Sequence, residues 1–265
     1  MGIMKERADR LLVAQGLAES RHKAQALIMA GLVYSKNEKI DKPGQMLKEG
    51  QSLNLKETLP YVSRGGLKLA AALEGFHLSV AGKAAVDLGA STGGFTDCLL
   101  QFGARKVYAV DVDTRQLDWS LRQDPRVVLI QKNARYLEKE DITENVELIT
   151  LDLSFISVLK VLPAISSFLE FGQLVSLIKP QFEVGKGQVG KKGVIRDLRQ
   201  HEEVLLQVIQ GGQALGFMAE GILRSPIKGQ KGNREFFVLW SLQATALDGE
   251  RLSNLIKETV WDEND

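Results

Sequence analysis

Five polar side chains stand where short apolar runs stop. Asp87 lies in Ala84-Ala85-Val86-Asp87-Leu88, Asp111 follows Val107-Tyr108-Ala109-Val110, and Asn133 comes shortly after residues 127–130. Asp152 follows residues 148–151, and Lys179 follows residues 174–178. Short apolar runs bounded by turn signals read as buried strands, and in an open α/β sheet ligands bind beyond the carboxyl ends of the strands. Three carboxylates, an amide and an amine at such ends could bind hydroxyls, move a proton or hold an oxyanion. A lysine directly after a buried strand, followed by Pro180-Gln181-Phe182-Glu183, is hard to explain as solvation.

The first run leads into Gly89-Ala90-Ser91-Thr92-Gly93-Gly94-Phe95-Thr96, a glycine-rich turn before an amphipathic stretch. Glycines let a ligand approach the backbone, and the first N–H groups of the next helix point into the same space. Asp111, about twenty residues on, occupies the place where nucleotide-binding α/β proteins put an acid on ribose hydroxyls. The turn is not Gly-x-Gly-x-x-Gly, which favours S-adenosylmethionine, a ligand without a pyrophosphate, over a dinucleotide. The expected cofactor residues are Asp87, Gly89, Ala90, Ser91, Thr92, Gly93, Gly94, Phe95, Thr96, Asp111, Val112, Asn133 and Asp152. A purely structural strand-to-helix turn with an incidental acid is the competing reading.

The acceptor of a methyl group follows from what surrounds Asp152 and Lys179. Leu151-Asp152-Leu153-Ser154-Phe155 lacks the Asn/Asp-Pro-Pro-aromatic pattern of amine methylation, and the single cysteine, Cys98, falls in the helix after the turn, away from any nucleophile position. Oxygen is the acceptor that fits. A ribose hydroxyl needs its proton removed or its oxyanion stabilised, and an amine beside a carboxylate suits either task. Sequence leaves open whether Lys179 acts as base or cation, and beside Asp152 it offers Glu183 as a further candidate acid. His22, His77 and His201 are scattered without metal-ligand spacing, so no metal is expected.

The chain that must position these groups has 265 residues, 44% of them hydrophobic, and a net charge of +1. That is enough for a large domain plus a small one. No stretch approaches the ~20 apolar residues of a membrane span, nor is there a signal-peptide core; a cytoplasmic protein that avoids membranes is expected. From residue 84 onward strands and helices alternate, predicting a Rossmann-like, doubly wound α/β sheet. Before it, Ser63 caps an alanine-rich helix that carries Lys68, and residues 5–56 form a small α+β unit. In that unit two helices, the first closed by Gly16 and the second spanning residues 21–30 behind Ser20, precede strands near residues 32–34 and 52–55. Basic residues cluster in residues 5–57 (ten Lys/Arg against seven Asp/Glu) and 179–199 (six against two), whereas residues 246–265 carry two against six. The basic stretches could face a polyanion.

The pattern Arg-x-Asp-x-x-Leu followed by Ser-Arg-x-x-Ala-x-x-Leu-Ile-x-x-Gly-x-Val resembles the alpha-L RNA-binding domain of a small-subunit ribosomal protein and of pseudouridine synthases. The whole chain resembles the TlyA/haemolysin-A family, whose catalytic domain is similar to the FtsJ-type ribose 2'-O-methyltransferases. That resemblance implies a Lys-Asp-Lys-Glu tetrad on Lys68 in Arg-Gly-Gly-Leu-Lys, Asp152 in Leu-Asp-Leu-Ser-Phe, Lys179 in Ile-Lys-Pro-Gln-Phe-Glu and Glu235 in Gly-Asn-Arg-Glu-Phe-Phe. It implies methylation of cytidine ribose in ribosomal RNA, free or in ribosomal subunits. The domains expected are 1–58 (RNA-binding), 59–83 (linker and leading helix), 84–245 (methyltransferase) and 246–265 (an acidic segment, helix or frayed tail). RNA contacts are expected from Arg7, Arg10, Ser20, Arg21, Lys23, Gln25 and Arg64, and from Lys186, Lys191 and Lys192 in a glycine-rich loop. Two other readings stay open: a non-catalytic ribosome-assembly factor, which need not keep the strand-end residues together, and a membrane-acting haemolysin, which would need a lipid-exposed apolar segment.

Overall fold

The computed structural model describes residues 5–29, 32–36, 38–55, 60–169, 172–185, 193–229 and 231–262. The chain divides into two compact units, Met1–Leu59 and Pro60–Asp265. In the first, β1 (Lys5–Arg7) pairs antiparallel with β4 (Met46–Lys48), and β2 (Val33–Ser35) lies between β3 (Glu38–Lys39) and β5 (Asn54–Leu55). Helices α1 (Ala8–Ala14) and α2 (Arg21–Met29) supply Ala8, Leu11, Leu12, Ala24 and Ile28 to a core closed by Val33, Ile40, Leu47 and Leu53. Gly16, at φ 70°, turns the chain after α1, and Ser20 Oγ accepts from the Lys23 N–H to cap α2. The pair β1–β4 was not legible in the sequence, because runs this short and this charged carry no alternation.

The second unit opens with α3 (Arg64–Gly75), capped by Ser63, and is built on a seven-stranded sheet. Its strands are β6 (Ala84–Leu88), β7 (Lys106–Asp111), β8 (Val127–Gln131), β9 (Leu148–Leu151), β10 (Gln173–Ile178), β11 (Met218–Arg224) and β12 (Phe236–Ser241). The spatial order is β11-β12-β10-β9-β6-β7-β8; β8, β7, β6, β9 and β10 run parallel, and β12 is antiparallel to both of its neighbours. The chain winds outward from β6 through β7 to β8, then returns to β9 on the other side of β6. That reversal is a topological switch point, where crossover connections leave the sheet in opposite directions and a crevice opens.

Alternation along the strands sends side chains to two cores. Val86 and Leu88, with Tyr108, Val110, Phe236, Val238 and Trp240, face α6 (Leu162–Ser166), α8 (Leu198–Ala214) and α9 (Gly249–Trp261). Ala85, Val107, Ala109, Phe237 and Leu239 face α3, α4 (Gly94–Gln101) and α5 (Trp119–Gln123). The short helix α7 (Pro180–Glu183) follows β10 directly. The acidic carboxyl-terminal segment resolves into α9: Asp248 caps it by accepting from the Arg251 N–H, and Leu252, Ile256 and Val260, four residues apart, complete the first core.

One buried polar joint sits beneath the turn after β6. Asp87, wholly buried, accepts from Thr96 Oγ1 on α4 at 2.7 Å and from Thr150 Oγ1 on β9 at 3.1 Å, tying the strand to both neighbours. Burial pushes its carboxyl up to about 7. An acid raised in the folded state holds its proton there while the unfolded chain has lost it, so stability falls as pH rises from about 4 to about 7 and stays lower above. Asp87→Asn keeps an acceptor for Thr96 and removes the charge. It is expected to be more stable than wild type by roughly 1–3 kcal/mol at pH 8 and equal to it below pH ~4. Urea unfolding at both pH values checks this, and a variant less stable at pH 8 would contradict the buried-acid account.

Candidate active site

Parallel strands deliver their last residues to one edge of the sheet, and an antiparallel strand delivers its first residue to the same edge. Asp152 directly follows β9, Lys179 directly follows β10, and Glu235 directly precedes β12. They meet there with Lys68, from α3, around a cavity of about 550 Å³. Helix α3 comes close because Gly94 lacks a side chain: a Cβ there would lie 2.9 Å from Gly66 N. All four residues that the family resemblance singled out therefore line one cavity.

They form two ion pairs. Lys68 Nζ donates to Glu235 Oε2 at 2.6 Å, with Glu235 buried and Lys68 nearly so. Lys179 Nζ lies 2.6 Å from Asp152 Oδ1. The second contact is ionic without the alignment of a hydrogen bond; the aligned bond from Lys179 runs to Ser154 Oγ, at 3.0 Å. Buried charges persist only when paired, and losing one partner costs ~3–5 kcal/mol. Each lysine is thus held in place by a carboxylate fixed to a strand end. Glu183, the rival acid, points elsewhere: it is half-buried, accepts from the Val158 N–H at 2.9 Å, and desolvation raises its pKa.

The cavity wall holds residues that sequence reasoning missed. Ser154, Phe155, Gln181, Phe182, Gly229, Lys231 and Asn233 line it. Phe155 is 89% exposed, adopts φ 66°, and its ring lies 4.8 Å from that of Phe182. A bulky residue in the left-handed region is a strained conformation that marks functional loops, and an exposed phenylalanine beside polar groups is a surface for a flat ligand. Its faint signal in the sequence was an aromatic three residues past the strand-end Asp152.

The glycine-rich turn divides into wall and support. Gly89, Ala90, Ser91, Thr92, Gly94 and Phe95 line the cavity, with Arg64. At Gly89, φ is +86° and a Cβ would stand 2.6 Å from the Asp152 carbonyl oxygen, so only glycine leaves the floor open. Asp87 and Thr96, expected to touch the cofactor, instead bond to each other beneath the turn, where burial hides both. Gly93, also expected there, caps α4 at φ +98° and makes room for Leu117 and Leu121. Asp111 ends β7 beside the turn, accepting from Ser91 N–H and Asp113 N–H at 2.9 Å each. Val112 next to it is 63% exposed, and Asn133 caps the turn after β8 by accepting from Arg135 N–H at 3.0 Å. Asp111, Val112 and Asn133 do not line the described cavity wall. Cys98 is buried, which pushes its thiol up to about 12 and makes it unreactive. Among the described residues no group of three or more His, Cys, Asp or Glu could hold a metal ion.

In the first unit the expected RNA contacts separate into two kinds. Asp9 is wholly buried and accepts from Arg7 Nε and Nη2 at 3.0 Å, from Arg21 Nε at 3.0 Å and from Gln25 Nε2 at 2.9 Å. Those bonds, the Arg7 fork above all, hold its carboxyl well below the usual range. Arg7, Arg21 and Gln25 are therefore first of all parts of an internal network, a structural role that their reading as phosphate ligands did not include. The two arginine side chains remain 39% and 49% exposed and keep further N–H donors. Arg10, Ser20 and Lys23 are exposed. Lys186, Lys191 and Lys192 lie outside the described residues.

Residues 61–242 match the model of the FtsJ-like methyltransferase family, and residues 6–53 match that of the S4 domain. YqxC of Bacillus subtilis (strain 168), named an rRNA methyltransferase, is 47% identical over 94% of this chain and 90% of its own length. The 16S/23S rRNA (cytidine-2'-O)-methyltransferase TlyA of Mycobacterium tuberculosis is 43% identical over 97% of each chain. A solved structure from Streptococcus thermophilus, described as a hemolysin, is 44% identical, covers 99% of both chains and superposes with a TM-score of 0.74. The chain therefore belongs to the TlyA family of FtsJ-like methyltransferases, with an S4 domain ahead of the catalytic unit.

Proposed function

We propose that this protein transfers the methyl group of S-adenosylmethionine to the ribose 2'-oxygen of a cytidine in ribosomal RNA, acting with ribosomes in the cytoplasm. The observation that carries this reading is the pair of lysine–carboxylate contacts, Lys179–Asp152 and Lys68–Glu235, on one cavity beside the glycine-rich turn. The names of the TlyA relatives support ribosomal RNA and cytidine as its substrate.

The residues present suit the methyl donor. Gly89 leaves the floor open, Val112 offers an exposed apolar surface, and Asp111 keeps lone pairs beyond those its two backbone donors use, enough for two ribose hydroxyls. Bound S-adenosylmethionine supplies a methyl activated by its sulfonium. The chain's own task is to prepare the attacking oxygen. Lys179 as an amine takes the 2'-hydroxyl proton, and as an ammonium it holds the oxyanion while the proton leaves to water; both roles need the amine at one point. Asp152 anchors it, and the Lys68–Glu235 pair places a second cation on the same cavity. Phe155 supplies a ring on which the target base stacks, and the exposed cations of the S4 domain take RNA phosphates.

Three outcomes test this. Asp111→Ala should bind S-adenosylmethionine ten- to a hundredfold more weakly, since charge-assisted hydrogen bonds contribute ~1.5–3 kcal/mol; unchanged calorimetric affinity in the folded variant overturns the assignment. Lys179→Ala should bind cofactor and RNA normally while single-turnover methylation slows by roughly 10²–10⁴, and Lys179→Arg should do little better, because guanidinium cannot deprotonate and its planar fork does not put a cation at the same point. A near-normal rate in the alanine variant would move the decisive role to Lys68. Reversing both exposed charges in Arg10→Glu/Lys23→Glu should weaken ribosomal RNA binding by about tenfold or more at moderate salt and flatten its salt dependence. Equal affinity by filter binding would remove the S4 face from the RNA interface.

A further inference from the structure

We propose that Ser154 is a positioning residue that fixes the direction in which the Lys179 amine meets the ribose oxygen. This rests on the reading of Lys179 given above and adds to it a residue that neither the tetrad nor the cofactor site contains.

A lysine Nζ is a rotor. Its three tetrahedral directions turn together about the Cε–Nζ bond until one of them is fixed, and transfer chemistry needs one of them aimed at the acceptor to within a fraction of an ångström. Attraction to the Asp152 carboxylate holds the nitrogen in place but sets its rotation poorly: the 2.6 Å contact is ionic, without hydrogen-bond alignment. The directional bond is the one to Ser154 Oγ at 3.0 Å. Ser154 stands two residues beyond Asp152 on the same strand-end segment, and both line the cavity with Lys179. A neutral amine has two hydrogens and one lone pair; with one hydrogen fixed on Ser154 Oγ and the other on the corner that the Asp152 carboxylate attracts, the lone pair takes the remaining corner. In an ammonium the third N–H takes that corner. Either way the corner left over is the one available to the 2'-oxygen, so Ser154 serves the base and the cation role alike.

The position also separates this role from a structural one. Ser154 is exposed, and removing an exposed hydroxyl changes stability little.

The test uses the full chain, radiolabelled S-adenosylmethionine at saturation, and ribosomal subunits lacking the modification, under single-turnover conditions. Ser154→Ala is expected to slow methyl transfer by about ten- to a hundredfold. Its affinities for cofactor and subunits and its melting temperature should match wild type, and Ser154→Thr, which restores the hydroxyl, should recover most of the rate. In a Lys179→Ala background the Ser154→Ala change should add nothing, because its effect passes through the missing amine. A Ser154→Ala rate equal to wild type beside a slow Lys179→Ala overturns the proposal and leaves the reading of Lys179 standing. So does a loss that is fully additive with Lys179→Ala. A Lys179→Ala enzyme with the wild-type rate overturns the reading of Lys179 itself, and this proposal with it.

Discussion

The reversal of winding direction between β6 and β9 is the constraint from which the site follows. Two parallel strands lie side by side, yet the connections that leave them run outward to opposite edges, so nothing crosses the gap above their ends. Gly89 leaves β6 there with a left-handed backbone, and Asp152 leaves β9 there with its carbonyl against the glycine. A side chain at residue 89 would close the gap that the topology opened. Asp87, one residue inside β6, holds the two strands and α4 together from below, which is why an ionisable group with a raised pKa is found in the core of the sheet.

Charge is arranged differently around this gap than elsewhere on the catalytic unit. Away from the cavity, Arg105 and Lys106 pair with Glu144, Arg126 with Asp124, and Lys132 with Glu138 and Asp141. Most of those pairs are solvent-exposed and nearby in sequence, so they neutralise the surface and contribute little to stability. The cavity pairs are different in kind: Lys68 and Glu235 are separated by most of the catalytic unit and are brought together only by the packing of α3 against the sheet. Counting basic residues along the chain therefore says little about where a polyanion binds, since some of the cations counted, Arg7, Arg21, Lys39 and Lys179, are already matched by an acid.

The strand ends were legible because burial on both faces writes a strand of a parallel sheet as a continuous apolar run, and a polar residue that ends such a run stands out. Asp111, Asp152 and Lys179 were readable for that reason. Lys68 and Glu235 were not: one sits among alanines on a helix, the other before a strand that runs the opposite way, and only family resemblance brought them forward. Asp87 shows the limit of the same signal, since a carboxylate within the run reads as a ligand until the two threonines that bond it, Thr96 and Thr150, are seen to come from a helix and a strand on either side. Phe155 and Ser154 were not read as site residues, because an exposed ring at φ 66° and a hydroxyl on an amine are facts of three-dimensional geometry rather than composition. The helix α9 was half legible: Leu252, Ile256 and Val260 have helical spacing, but the acidic residues around them read equally as a frayed tail until their packing on the first core is known.

Both units use a carboxylate to hold cations in place, with opposite balances of charge. In the S4 domain one wholly buried acid, Asp9, gathers two guanidiniums and an amide, leaving the group net positive with both guanidiniums part-exposed. Such a patch suits many phosphates, because a polyanion is recognised there by charge and spacing rather than by one atom. In the cavity each lysine has its own carboxylate, and the charges cancel before any substrate arrives. A cancelled site gains nothing from general attraction to RNA, so what it offers is direction: an amine held in place by Asp152 and turned by Ser154, beside a floor that only glycine leaves open. Separating attraction from orientation lets the S4 domain bind RNA by its backbone while the cavity acts on a single oxygen.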